Sequence, residues 1–108
     1  MADTPLWAQA VIRAHLSVTT AVSHSERLKS DRYFVWQEDG SNDPTSDDRH
    51  FTHAVTGVTD LYSKQEFDPW ADALGEAFDE EGISWELVTV EYEEETEFYH
   101  WSWDWEVP

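Results

Sequence analysis

Hydrophobic and polar positions alternate through the closing run FYHWSWDWEVP, with Tyr99, Trp101, Trp103, Trp105 and Val107 on one parity and Phe98, His100, Ser102, Asp104 and Glu106 on the other. A period of two predicts a strand with one buried face. The preceding run, SWELVTVEYE, is equally rich in β-branched and aromatic residues, and a break around Glu94 to Thr96 joins the two into a predicted antiparallel hairpin. Upstream, YFVWQE at 33–38 puts Phe34 and Trp36 on one face of a strand, and HFTHAVTGVTDLYS at 50–63 is another, with Gly57 marking a bulge or a close approach. VTTAVS at 18–23 fits a short strand.

The period changes to three and four residues in two places. Leu6 or Trp7, Ala10, Val11 and Ala14 predict a helix over roughly 5–16, opened by Thr4-Pro5. Phe67, Trp70, Ala71, Leu74, Ala77 and Phe78 predict a second, capped by Asp68, with Pro69 in its first turn and Gly82 as its stop. The expected order is α-β-β-β-α-β-β. That order predicts one α+β domain over residues 1–108, a two-layer fold with two helices packed on a mainly antiparallel sheet of four or five strands.

Composition narrows the function. The net charge is −18, from 24 acidic and 6 basic residues, and no Lys or Arg follows Lys64. A chain this acidic is repelled by nucleic-acid phosphates and anionic membranes. The charge fits a salt-adapted surface, a surface that DNA slides past, or mimicry of DNA. Cysteine is absent, which removes disulfides, thiolate metal sites and a cysteine nucleophile. No run reaches the ~20 apolar residues of a membrane span and the N-terminus lacks a leader pattern, so a soluble protein made in the cytoplasm is expected.

Catalytic patterns are weak. His15, His24, His50, His53 and His100 are scattered, and Ser23-His24-Ser25 has no glycine-framed nucleophile turn. The acidic tract DGSNDPTSDD offers oxygen ligands in Asp39, Asn42, Asp43, Asp47 and Asp48, but its register is not that of an EF-hand. The expectation is a protein that is not an enzyme, with no catalytic, cofactor or metal residues. The tract is read instead as a loop, with Glu38, Asp39, Asn42, Asp43, Asp47 and Asp48 docking a partner. The hairpin residues Glu91, Glu93, Glu94, Glu95, Thr96 and Glu97 are candidates for contacts with a neighbouring subunit or a lumen. Trp36, Trp70, Trp85, Trp101, Trp103 and Trp105 are core or interface aromatics, the outermost of the closing stripe being offered to a neighbour.

YFVWQEDG at 33–40, TGVTDLYSKQEFDPW at 56–70 and ISWELVTVEYEEETEFYHWSW at 83–103 together resemble the tail-terminator or head–tail joining proteins of long-tailed phages and prophages. Such proteins similarly pair an aromatic strand ending in Glu with an Asp-Leu-Tyr strand that leads into a Glu-Phe-Asp-Pro helix start and a closing Glu-Glu-Thr hairpin. Glu97 stands where they usually have Gly after the hairpin Thr. The resemblance implies a virion protein at the head–tail junction that forms a homo-oligomeric, typically hexameric, ring. Its partners would be the tail tube protein and head connector proteins, with DNA passing the lumen unbound and no membrane involved. Two rivals remain: an acidic DNA-mimic inhibitor of a host DNA-binding enzyme, and a carbohydrate-binding module with an exposed tryptophan platform.

Overall fold

A computed structural model describes residues 3–41 and 54–108. The elements follow the expected order: α1 (Leu6–Leu16), β1 (Val22–His24), β2 (Arg32–Ser41), β3 (Val55–Ser63), α2 (Pro69–Glu80), β4 (Ser84–Glu93) and β5 (Phe98–Val107). The chain forms one α+β domain. The five strands of the described residues make a single sheet in the order β1-β2-β3-β5-β4, antiparallel throughout except for β1, which runs parallel to β2.

The ends of α2 follow local chemistry. Asp68 accepts a hydrogen bond from the Trp70 amide at 2.9 Å, and Pro69 opens the helix. At the other end Gly82 adopts φ +73°, the Gly82 amide bonds the Asp79 carbonyl and the Ile83 amide bonds the Phe78 carbonyl, closing a Schellman turn. The α1 start differs from the expected Thr4 cap. Pro5 is the extended cap residue without a side-chain cap, and the Gln9 side chain reaches back to the Thr4 carbonyl at 2.8 Å.

The expected strand at 18–23 shrinks to Val22–His24 because the exit of α1 claims its first residues: the Val18 and Thr19 amides both bond the His15 carbonyl. β2 runs further than predicted. Asp39, read as the start of a loop, belongs to this strand as the extra residue of a register shift, with Glu38 opposite Gly57 and Gly40 opposite Thr56. Backbone pairing with β3 outweighs the turn preference of Asp39 and Gly40.

Both helices cover the face bearing Phe34, Trp36, Leu61, Trp101, Trp103 and Trp105, which pack with Val11, Ala14, Leu74 and Phe78 into the main core. The closing stripe is buried along its length, with Trp101 at 5 %, Trp103 at 1 % and Trp105 at 2 % exposure. None of the three is left for a neighbour or for a sugar platform, because β5 lies inside the sheet between β3 and β4. Gly57 supplies the close approach: a Cβ there would stand 2.3 Å from the Trp105 ring. A smaller cluster of Tyr33, Val35 and Tyr62 occupies one end of the opposite face. Arg27 closes over it, with its guanidinium 3.9 Å from the Tyr62 ring centre and its Nε donating to the Tyr33 hydroxyl at 3.0 Å.

Candidate functional site

Strand order decides what the surface presents. Among the described residues β4 pairs only with β5 and forms one edge of the sheet. Its alternation resembles that of β5, and the register puts Trp85, Leu87, Val90 and Tyr92 opposite Trp105, Trp103, Trp101 and Tyr99, on the helix-covered face. Helix α2 reaches only the near end of this row. There Trp85 lies over Gly75, where a Cβ would come within 2.8 Å of the indole, and Trp85 Nε1 donates to Asp79 Oδ1 at 2.9 Å. Even so, Trp85, Leu87, Val88, Val90 and Tyr92 are between 39 and 52 % exposed. Val88 sits at a register shift between Leu87 and Thr89.

Beyond the start of α2 the edge opens into a groove of about 480 Å³, floored by Val90, Tyr92, Tyr99, Trp101 and Ala71 and flanked by the highly exposed Phe67. Its charged lining is acidic, from Glu66, Asp68, Asp72 and Glu91. Asp68 is neutralised from within. Burial pushes its carboxyl up, but the hydrogen bonds from Arg32, Ser63 and the Trp70 amide prevail and hold it below the usual range. Arg32 is itself fixed, with Nε 2.7 Å from Asp68 Oδ2 and its guanidinium 3.8 Å from the centre of the Trp70 ring.

The sheet face away from the helices carries the opposite parity. Glu86 pairs with Asp104, Ser84 with Glu106, Glu91 with His100 and Glu93 with Phe98. Glu86, Glu91, Asp104 and Glu106 are exposed. His100 stacks on Tyr62 at 4.4 Å, with Nε2 2.7 Å from Asp60 Oδ1 and Nδ1 3.7 Å from Glu93 Oε2. This face therefore gathers carboxylates from three neighbouring strands with one imidazole among them.

The sequence-predicted hairpin residues divide between two settings. Glu91 and Glu93 lie on β4, while Glu94, Glu95, Thr96 and Glu97 make the turn, with Glu97 at φ +62° and its amide bonded to the Glu93 carbonyl. Lys64 ties the turn down by donating to the Thr96 carbonyl. Of the proposed docking loop, Asn42, Asp43, Asp47 and Asp48 lie outside the described residues, as do His50 and His53. Glu38 and Asp39 are strand residues with internal partners. His24 Nε2 is 2.7 Å from Glu38 Oε1, which holds the Glu38 carboxyl below its ordinary range, and Thr56 Oγ1 donates to Asp39 Oδ1 at 2.7 Å. His24 is further stacked on Trp36 at 4.2 Å, which sets it apart from the nucleophile pattern weighed for Ser23-His24-Ser25.

A second groove, about 580 Å³, lies at the opposite edge between α1 and β1, with Trp7, Ile12, Leu16, Val22 and Trp36 among its lining. Among the described residues, no group of three or more His, Asp or Glu side chains is placed to hold a metal ion, and no helix is long and apolar enough to cross a membrane. Sequence reading missed the role of Leu87, Val90 and Tyr92, whose pattern matches that of a buried strand. No local signal separates them from β5, because whether a helix covers the strand is set by tertiary packing. No family model matches the chain, and no curated protein matches it.

Proposed function

We propose that the chain is a non-enzymatic assembly protein: a ring-forming terminator at the head–tail junction of a long-tailed phage or prophage particle, meeting the tail tube on one side and the head connector on the other. The observation that carries this reading is the segregation of the surface. Carboxylates occupy the sheet face that the helices leave bare, while half-exposed apolar residues collect along one edge. An acidic face turned to a lumen repels a passing duplex, and apolar edges serve protein contacts.

A second reading rests on the same face taken alone. Glu86, Glu91, Asp104 and Glu106, exposed on adjacent strands, offer rows of negative charge to a basic enzyme, as a DNA mimic does. Light scattering from low to high salt separates the two. Screening relieves repulsion between acidic subunits, so the assembly reading expects a discrete ring-sized species to grow with salt. A monomer at every salt concentration, joined to salt-sensitive capture of a basic DNA-binding enzyme, would replace assembly with mimicry.

A further inference from the structure

The β4 edge has the chemistry to accept one more strand. It runs for ten residues with a register shift at Val88, is paired among the described residues on one side only, and contains neither Pro nor Lys, two residues that commonly close such edges. Its faces differ: Leu87, Val90 and Tyr92 on one, Glu86, Glu91 and Glu93 on the other.

A second copy of the chain is a poor occupant. Pairing β4 with itself would gather Glu86, Glu91 and Glu93 of both copies on one face, and like charges across a strand pair are destabilising. Among the described residues all but one of the Lys and Arg side chains are engaged elsewhere. Arg13 is paired with Glu81, Arg27 is held by Tyr33 and Tyr62, Arg32 by Asp68, and Lys64 by the Thr96 carbonyl and the Phe98 ring. Among the described residues that leaves Lys29. An occupant that pairs both faces of β4 has to bring its own positive charge.

We infer that the β4 edge is a docking site for an extended segment of a basic partner protein, which adds as a sixth strand with apolar side chains against Leu87, Val90 and Tyr92 and Lys or Arg against Glu86, Glu91 and Glu93. Backbone hydrogen bonds supply the pairing, and the alternation of apolar and basic residues fixes register and face. The groove beside Ala71 and Trp101 receives whichever apolar side chain lies nearest α2. This docking goes beyond the assembly role and does not depend on it, since it concerns the single domain.

The test uses an acetylated eight-residue peptide alternating Val and Lys, compared with a peptide of the same composition in which the four Lys and four Val form separate blocks. Binding is followed by amide chemical shifts and amide hydrogen exchange at 50 mM salt. The expected result is shift changes centred on β4, slowed exchange of β4 amides, and at least tenfold weaker binding of the block peptide. E86Q/E91Q/E93Q, whose exposed or half-exposed positions spare the core, should weaken the alternating peptide at least tenfold while retaining the wild-type circular dichroism. Equal binding of both peptides would reduce the site to diffuse charge attraction and overturn the proposal. So would a concentration-dependent dimer that L87S/V90S abolishes, because the edge would then belong to a second copy.

Discussion

His15 Nε2 lies 3.0 Å from Thr59 Oγ1 in the buried layer between α1 and the sheet. Thr59 also accepts from Trp105 Nε1 at 2.9 Å, and His15 Nδ1 faces the Val11 carbonyl at 2.8 Å. A carbonyl can only accept, so the neutral ring carries its proton on Nδ1 and takes the Thr59 hydroxyl proton at Nε2. The chain Trp105 to Thr59 to His15 to Val11 thus satisfies each buried polar group in one direction. Burial lowers the His15 pKa from 6.5 to about 4, opposed only in part by the Val11 carbonyl.

That shift predicts an acid-sensitive fold. The unfolded chain takes up the His15 proton near pH 6.5 and the folded chain only near pH 4, so the contribution is complete above pH 6.5 and is lost as pH falls toward 4. At about 1.4 kcal/mol per pH unit, wild type should lose about 2 kcal/mol relative to His15→Leu between pH 7.5 and pH 5. Urea unfolding of both proteins at the two pH values measures the difference. Parallel pH profiles would show that His15 titrates alike in both states.

Thr59→Val replaces the shared hydroxyl with a methyl of similar size and strands the Trp105 indole N–H and His15 Nε2 in the core. A loss of about 2 kcal/mol is expected from the unsatisfied donor. The His15 pKa should change with it, which a carbon-13-labelled imidazole titration reads directly.

Gly57→Ala drives a Cβ to 2.3 Å from the Trp105 ring and 2.7 Å from the Gln37 carbonyl. Backbone and a buried indole are both poorly placed to yield, so a destabilisation of about 2–3 kcal/mol is expected in urea unfolding. Paired with Trp105→Phe the same substitution should cost less, since the smaller ring vacates the contact.

Glu97→Gly should stabilise the protein. Glu97 holds φ +62° in the hairpin turn, where a side chain costs about 1 kcal/mol and glycine does not. The unfolded chain with glycine is more flexible, which offsets part of the gain, so a net rise in Tm of roughly 2–4 °C is expected by calorimetry. A fall in Tm would mean that Glu97 makes a compensating contact.

Raising sodium chloride from 50 mM to 1 M should raise Tm by roughly 5 °C, because the folded state concentrates the excess of acids and salt screens their repulsion. E86Q/E91Q/D104N, which thins the bare sheet face, should flatten that salt dependence. An unchanged slope would place the repulsion elsewhere on the surface.

The elements and their order are legible along the chain because their signals are local. The alternation of Tyr99 to Val107 repeats every two residues, and Asp68-Pro69 and Gly82 bound α2 by satisfying backbone groups within a few residues. Where a local signal competed with pairing, pairing prevailed: Asp39 and Gly40 look like a turn but continue β2 against β3. Which of two similar strands is buried depends instead on long-range packing. SWELVTVEYE and FYHWSWDWEV carry nearly the same pattern, yet β5 is flanked on both sides and buries its tryptophans, whereas β4 takes the edge beyond the reach of α2 and leaves Leu87, Val90 and Tyr92 in solvent. The His15–Thr59–Trp105 chain joins residues more than forty positions apart for the same reason. Hydrophobic period reports that a face is apolar; strand order and helix length fix how much of that face is covered.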